Sequence, residues 1–161
     1  MGSGSPGPPV GVVFRRLGSS VERELARSLL AAGGPSYRSP RYAGEGSWFG
    51  LWDLASAEGA GLVGVAATRL VTAMTVELCA VALPAALPWR GLGGRLVREV
   101  ADTLRADGAE QMVARPATTD GQGLAVLRSV GFGPAGPQCP GLGELGSKEP
   151  DKSTVWLSLE L

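Results

Sequence analysis

A glycine-rich stretch between a strand-like and a helix-like segment is the part of this sequence that most clearly predicts chemistry. Residues 75–81 have the pattern of a strand, glycines follow at 91, 93 and 94, and residues 92–104 have the apolar spacing of an amphipathic helix. A helix start exposes unpaired backbone N–H groups and carries about half a positive charge. Because glycine has no Cβ to hold an anion away from those amides, the stretch predicts a phosphate-binding site.

The charges around the glycines support a phosphate site. Acidic side chains stabilise the first turn of a helix and basic ones the last, yet this segment opens with Arg90, Arg95 and Arg98 and has no carboxylate before Glu99. A bound polyanion would explain that reversal. Two alternatives stay open: the glycines form an ordinary turn, and the chain simply uses arginine wherever it needs a cation.

Glu77 is the candidate catalytic residue, with proton transfer as its role. It stands between Val76 and Leu78 in the predicted strand, and strict alternation would place it on one face with Cys79 and Val81. On a sheltered face burial would favour the protonated carboxyl, so Glu77 could accept a proton from an amine directly or through water. The alternative is a carboxylate satisfied by a neighbouring side chain or by solvent.

The composition excludes several other kinds of site. The 161 residues contain no histidine, and the two cysteines lie far apart in the sequence. This excludes a Ser-His-Asp or Cys-His site and the usual tetrahedral zinc site, and we expect no metal. Two cysteines are too few for a disulfide framework, in agreement with a reducing compartment. A formal net charge of zero gives no general attraction for nucleic acid or membrane surfaces, so we expect neither as a partner.

Length and segment composition predict one domain. The chain is 44% apolar and 19% charged, which is ordinary for a globular protein. Residues 1–9 are rich in Gly, Ser and Pro and lack the features of a signal peptide. We therefore expect a disordered tail over residues 1–9 and a single domain over residues 10–161. No apolar run reaches membrane-spanning length, and we expect a cytoplasmic protein.

The predicted elements run in the order strand, helix, three strands, helix, strand, helix, strand. Their approximate ranges are 10–14, 20–32, 47–54, 62–71, 75–81, 92–104, 111–115, 120–130 and 154–161. Residues 33–46 are predicted to be a loop. Short turns make the three central strands an antiparallel meander. We expect an α+β (mixed α/β) fold, with a mostly antiparallel central sheet of about six or seven strands flanked by helices.

Four of these segments together resemble the GNAT superfamily of N-acyltransferases. The segments are residues 77–81, Pro84, residues 90–93 with the helix after them, and residues 126–132. The resemblance implies acetyl-CoA as cosubstrate. It also implies a set of cofactor-binding residues in two groups. The pantetheine arm would pair with the strand end at Val81, Ala82 and Leu83. The diphosphate would rest on backbone amides of Trp89, Arg90, Gly91, Leu92, Gly93, Gly94 and Arg95.

The implied activity is direct transfer of an acetyl group from acetyl-CoA to an amine of a small molecule or peptide. One departure from the family concerns the general acid, since Leu127 stands where a tyrosine often acts. Tyr37, Tyr42, Ser129, Cys139 or water would have to protonate the leaving thiolate instead. An alternative function stays open, a catalytically silent acyl-CoA-binding or interaction domain of the same fold. We also leave open assembly as a homodimer.

Overall fold

A computed structural model of the chain describes residues 12–32, 36–38, 46–53, 61–84, 89–135 and 155–161. The predicted tail over residues 1–9 lies outside these ranges, as do Tyr42 and Cys139. The side chains of Trp89 and Arg90 also lie outside the description, although the backbone of both residues is helical.

Eight strands and three helices make up the described part of the chain. The strands are β1 (Val12–Leu17), β2 (Ser36–Arg38), β3 (Ser47–Asp53), β4 (Leu62–Leu70), β5 (Thr75–Ala82), β6 (Gln111–Ala114), β7 (Gly133–Pro134) and β8 (Leu157–Glu160). The helices are α1 (Ser20–Ala31), α2 (Trp89–Ala106) and α3 (Gly121–Val130). Each predicted element is present within a few residues of its expected bounds, and β2 and β7 are additional.

All the strands belong to one mixed sheet with the order β1-β3-β4-β5-β6-β8-β7, and β2 pairs with β5. β3, β4 and β5 form the antiparallel meander that the short turns predicted. β5 and β6 pair in parallel, with α2 as the crossover between them. The predicted fold class is therefore confirmed. The sheet has eight strands instead of the predicted six or seven. The prediction missed β2 and β7 because, at three and two residues, they are too short to show a strand period in the sequence.

Helices cover both faces of the sheet and give the core two halves. On one face α2 and α3 contribute buried apolar side chains such as Leu96, Val100 and Val126. On the other face α1 contributes Ala26, with Leu29 packed against it. The central strands β4 and β5 lie between these two layers, which is why β5 is buried along its whole length.

Local signals explain where α1 and α3 begin and end. Ser19 caps α1 with a capping box: its hydroxyl accepts from the Glu22 N–H, and the Glu22 carboxylate accepts from the Ser19 N–H. Asp120 caps α3 by accepting from the Gly123 N–H. α3 ends at Gly131, whose φ of 117° is accessible to glycine without strain.

Candidate functional site

A β-bulge in β5 lies at Cys79, close to the predicted catalytic residue. Thr68 of β4 pairs with Leu78, but the preceding Ala67 pairs with Ala80. Cys79 is thus the extra residue of β5, with no opposite number on β4. A bulge of this kind inverts the alternation of side chains beyond it.

Because of the bulge, alternate side chains before and after Cys79 do not stay on the same face of the sheet. Val81 packs in the same core half as Leu78, on the α2 and α3 side, whereas Cys79 packs on the α1 side. The prediction that Glu77, Cys79 and Val81 share one face is therefore wrong for Val81. Strict alternation was assumed, and the inserted residue breaks it.

The edge of β5 that faces away from β4 has two successive partners. β6 pairs with residues 75–78 in parallel, and β2 pairs with residues 80–82 in antiparallel fashion. The change of partner coincides with Cys79. β6 and β5 consequently stop pairing at the bulge, and β2 takes the place that β6 leaves along β5.

Tyr37 of β2 lies at the point where β5 and β6 stop pairing. It is 1% exposed, and its hydroxyl donates to the Leu78 carbonyl oxygen at 3.0 Å and accepts from the Arg115 N–H at 2.8 Å. Burial raises the pKa of Tyr37 well above its ordinary value, although the Arg115 N–H opposes that rise. Tyr37 is thus a neutral phenol that joins three segments. From the sequence, Tyr37 was a tyrosine of a predicted loop and one candidate for the general acid, and these contacts were not predicted.

Glu77 forms a buried ion pair with Arg69 of β4. Glu77 is 1% exposed, and its Oε1 accepts from Arg69 Nη2 at 2.7 Å and from Arg69 Nε at 2.9 Å. The two residues are direct cross-strand partners. Its carboxylate therefore has the neighbouring partner that the sequence left open as an alternative. The catalytic role of Glu77 stays a prediction.

The glycine-rich stretch is the start of α2. The helix begins at Trp89, so the prediction of a glycine-rich bend before the helix is wrong. The apolar face formed by residues such as Leu92 and Leu96 packs on the sheet and extends the helix over the glycines. In α1 and α3 the fourth helical residue already donates to the cap carbonyl, and by the same count the amides that the start of α2 leaves unpaired are those of residues 89–91. Those of Gly93, Gly94 and Arg95 instead lie within reach of carbonyls one turn earlier.

Two glycines in the first turns of α2 have no packing or backbone reason to be glycine. Among the described residues, positive φ occurs at Gly46, Gly108 and Gly131 and not in α2. A Cβ added at Gly91 would meet no atom within 4 Å, and one at Gly94 would meet its nearest neighbours at 3.7 Å. Glycine in a helix is about 1 kcal/mol less favourable than alanine. The first turn is thus open to an outside group at some cost in helix stability.

Arginine side chains lie near this helix start but differ in direction. Arg98 is exposed, and its guanidinium Nη2 lies 3.7 Å from the position of a Cβ at Gly94, so it places a cation one turn from the unpaired amides. Arg95 instead donates from Nη2 to the Val12 carbonyl oxygen of β1 at 3.4 Å. No acidic residue lies in the first turn of α2, as the sequence indicated.

A separate groove of about 400 Å³ lies at the other end of α2. Its lining includes Arg16, Phe49, Arg69, Leu104 and Asp107. Since α2 has 18 residues, its two ends are roughly 27 Å apart. The groove and the glycine-rich start are therefore different places in the fold.

The described ranges contain neither a metal-binding cluster nor a membrane-spanning helix. No group of three His, Cys, Asp or Glu side chains in those ranges is arranged to hold a metal ion. None of the helices described is both long and apolar enough to cross a membrane.

Sequence comparison and structure comparison give different results. The sequence matches no protein-family model and no curated protein. Its fold, in contrast, matches many solved acetyltransferases, at low sequence identity.

Three solved structures illustrate the shared fold. An acetyltransferase from Bacillus subtilis in complex with CoA has a TM-score of 0.66 at 17% identity, over 93% of this chain and 99% of that one. The ribosomal-protein-S18-alanine N-acetyltransferase from Escherichia coli has a TM-score of 0.65 at 16% identity, over 92% and 93%. A protein from Desulfovibrio desulfuricans described as a GNAT-family acetyltransferase has a TM-score of 0.65 at 17% identity, over 92% and 98%.

Proposed function

We propose that this chain, which has the GNAT fold, transfers an acetyl group from acetyl-CoA to an amine of a small molecule or peptide. In the proposed reaction the amine nitrogen attacks the thioester carbonyl carbon, the carbon–sulfur bond breaks, and coenzyme A leaves as the thiol. The amine loses one proton to a base, and the departing sulfur gains one.

The open start of α2 is the observation that carries this proposal. A Cβ at Gly91 would meet no atom within 4 Å, the Arg98 guanidinium lies beside Gly94, and no carboxylate in the first turn offsets the positive end of the helix dipole. A diphosphate satisfies the amides and reverses the unfavourable charge arrangement. We assign the diphosphate to the unpaired amides of residues 89–91. Leu92, Gly93, Gly94 and Arg95 stay predicted members of the same site.

The rest of the carrier is assigned by the resemblance to the GNAT superfamily. The end of β5 leads through Leu83 towards α2, so a carrier whose diphosphate rests on α2 can extend its arm along Val81, Ala82 and Leu83. Those residues are buried on an edge that uses main-chain groups for pairing. We propose that amide groups of the arm pair with that edge.

Glu77 is the proposed base for the amine. It is the buried carboxylate two residues before the bulge, and a proton accepted there would convert its pairing with Arg69 from an ion pair to a neutral–cation contact. The family tyrosine position cannot supply the acid, because Leu127 has a hydrocarbon side chain with no proton to donate and packs in the core.

Coenzyme A affinity of a Gly91→Asp variant tests the proposed carrier site. An acidic residue in the first turn favours the helix by roughly 0.3–1 kcal/mol, so the free energy of unfolding should stay equal or rise. The same charge beside the diphosphate should raise the Kd for coenzyme A at least tenfold, measured by titration calorimetry.

Gly18→Asp is the matched control, because a Cβ at Gly18 also meets no atom within 4 Å and the residue precedes α1 on the opposite face. It should bind coenzyme A like the wild type. Equal affinity of the two variants for coenzyme A would contradict the assignment of the diphosphate to the start of α2.

The Glu77–Arg69 ion pair favours a second candidate, a silent acyl-CoA-binding domain of the same fold. A carboxylate whose Oε1 accepts from both Nη2 and Nε of one guanidinium has a structural role without catalysis. Release of free thiol from acetyl-CoA with a panel of amines separates the two functions. Binding of coenzyme A without thiol release from any amine would establish the silent one.

A further inference from the structure

We propose that β2 occupies the carrier's place on β5 and has to leave it before the arm of acetyl-CoA can bind. The proposal rests on the proposed function, because it concerns the edge assigned to the arm. It adds a regulatory step: the chain holds its own cosubstrate site closed.

The overlap between β2 and the assigned arm site is direct. Ser36 pairs with Ala82, Tyr37 with Val81 and Arg38 with Ala80, whereas the arm is assigned to residues 81–83. A strand edge presents one row of N–H and C=O groups, and each pairs with one neighbour at a time. β2 and the arm therefore exclude each other.

Tyr37 is the contact that holds β2 in this place. Its ring lies in the core half under α2 and α3, and its hydroxyl bonds to Leu78 on β5 and to Arg115 after β6. β2 itself contributes only three residues of pairing. The Tyr37 side chain therefore adds two hydrogen bonds and a core contact to the main-chain pairing of β2.

The start of α2 stays open while β2 is closed. A Cβ at Gly91 meets no atom within 4 Å in the closed arrangement, so the diphosphate can bind first. The arm then replaces β2 along β5. Because only the open form accepts the arm, the apparent affinity for the whole carrier is reduced by the fraction of molecules that are open.

Amide hydrogen exchange on the ¹⁵N-labelled wild-type protein tests the replacement. Coenzyme A should increase the exchange rates of the Ser36–Arg38 amides and leave those of residues 80–82 protected, since the arm takes over their pairing. The 3′-phosphoadenosine diphosphate portion of coenzyme A, which lacks the arm, should leave both segments protected.

Tyr37→Phe tests the hydroxyl. Losing two buried hydrogen bonds destabilises the closed form, and we expect about a tenfold lower Kd for coenzyme A with an unchanged Kd for the armless portion. Thr72→Val is the matched control, because it removes a hydroxyl that also makes two hydrogen bonds, at the turn between β4 and β5, and both Kd values should stay at the wild-type level. If Tyr37→Phe does not fold, the exchange experiment on the wild type decides.

The outcomes separate this inference from the proposed function. Tight binding of coenzyme A while the Ser36–Arg38 amides stay protected would overturn the role of β2 and leave the transferase proposal intact. Failure of both coenzyme A and its armless portion to bind would overturn the proposed function, and the role of β2 with it.

Discussion

Glu77 and Arg69 form an unequal pair at the scale of single residues. The Glu77 side chain is 2% exposed and the Arg69 side chain 34% exposed. Water can therefore solvate the Arg69 cation but not the Glu77 anion, which needs the guanidinium as its partner. Removing one partner of a buried pair typically costs 3–5 kcal/mol when the other charge is left unpaired. Neutralising Glu77 instead leaves Arg69 able to turn to water.

Glu77→Gln is therefore a variant that should fold and can report on catalysis. If Glu77 accepts the amine proton, kcat should fall about a hundredfold or more, and the Kd for coenzyme A should not change. Steady-state kinetics across pH check this. The exposed Glu110→Gln serves as control, and wild-type rates for Glu77→Gln at all pH values would show that Glu77 is structural only.

At the scale of elements, α1 depends on its cap because it is short of buried residues. Of its 12 residues only Ala26 is buried, so packing contributes less than in α2. The Ser19 hydroxyl accepts from the Glu22 N–H at 3.1 Å, which satisfies a donor that the helix itself cannot. The stability of α1 therefore depends in part on the Ser19 cap.

Ser19→Ala should lower the free energy of unfolding by about 1 kcal/mol, the usual effect of losing such a cap. Denaturant titration followed by circular dichroism measures it. Ser20→Ala, one residue further on and exposed, should change stability by less than about 0.5 kcal/mol. An equal loss in both variants would mean that the hydroxyl of Ser19 does not cap α1.

The sequence predicted the type of an element correctly where its apolar period extended over many residues. The prediction missed elements that were too short to show a period. α2 and the meander have clear apolar periods, and both were predicted. β2 is three residues long and shows no period of its own. The bulge could not be predicted, because the sequence around Cys79 has the regular pattern of an unbroken strand. Pairing between distant segments, such as Tyr37 with Leu78, depends on tertiary contacts that the local pattern does not contain.

At the scale of the whole molecule, the proposed carrier site joins parts of the fold that are separate in sequence. α2 supplies the diphosphate site and β5 the arm site, and α2 packs on the face of the sheet to which β5 contributes Leu78 and Val81. A ligand that binds only the folded chain stabilises it by mass action.

Coenzyme A at a hundred times its Kd should therefore stabilise the fold by about 2.7 kcal/mol. For a domain of this size that corresponds to a rise in Tm of roughly 5–10 °C, measured by scanning calorimetry. Gly91→Asp should show a smaller rise at the same ligand concentration. An unchanged Tm for the wild type would contradict binding to the native state.

The position of β8 between β6 and β7 in the sheet has a consequence for synthesis on the ribosome. About forty residues separate the end of β6 from the start of β8, and translation at 5–20 residues per second takes roughly two to eight seconds to cover them. During that interval the nascent β6 has an uncovered outer edge, open to pairing with other chains. Chaperone demand and aggregation during expression should be greatest in that window.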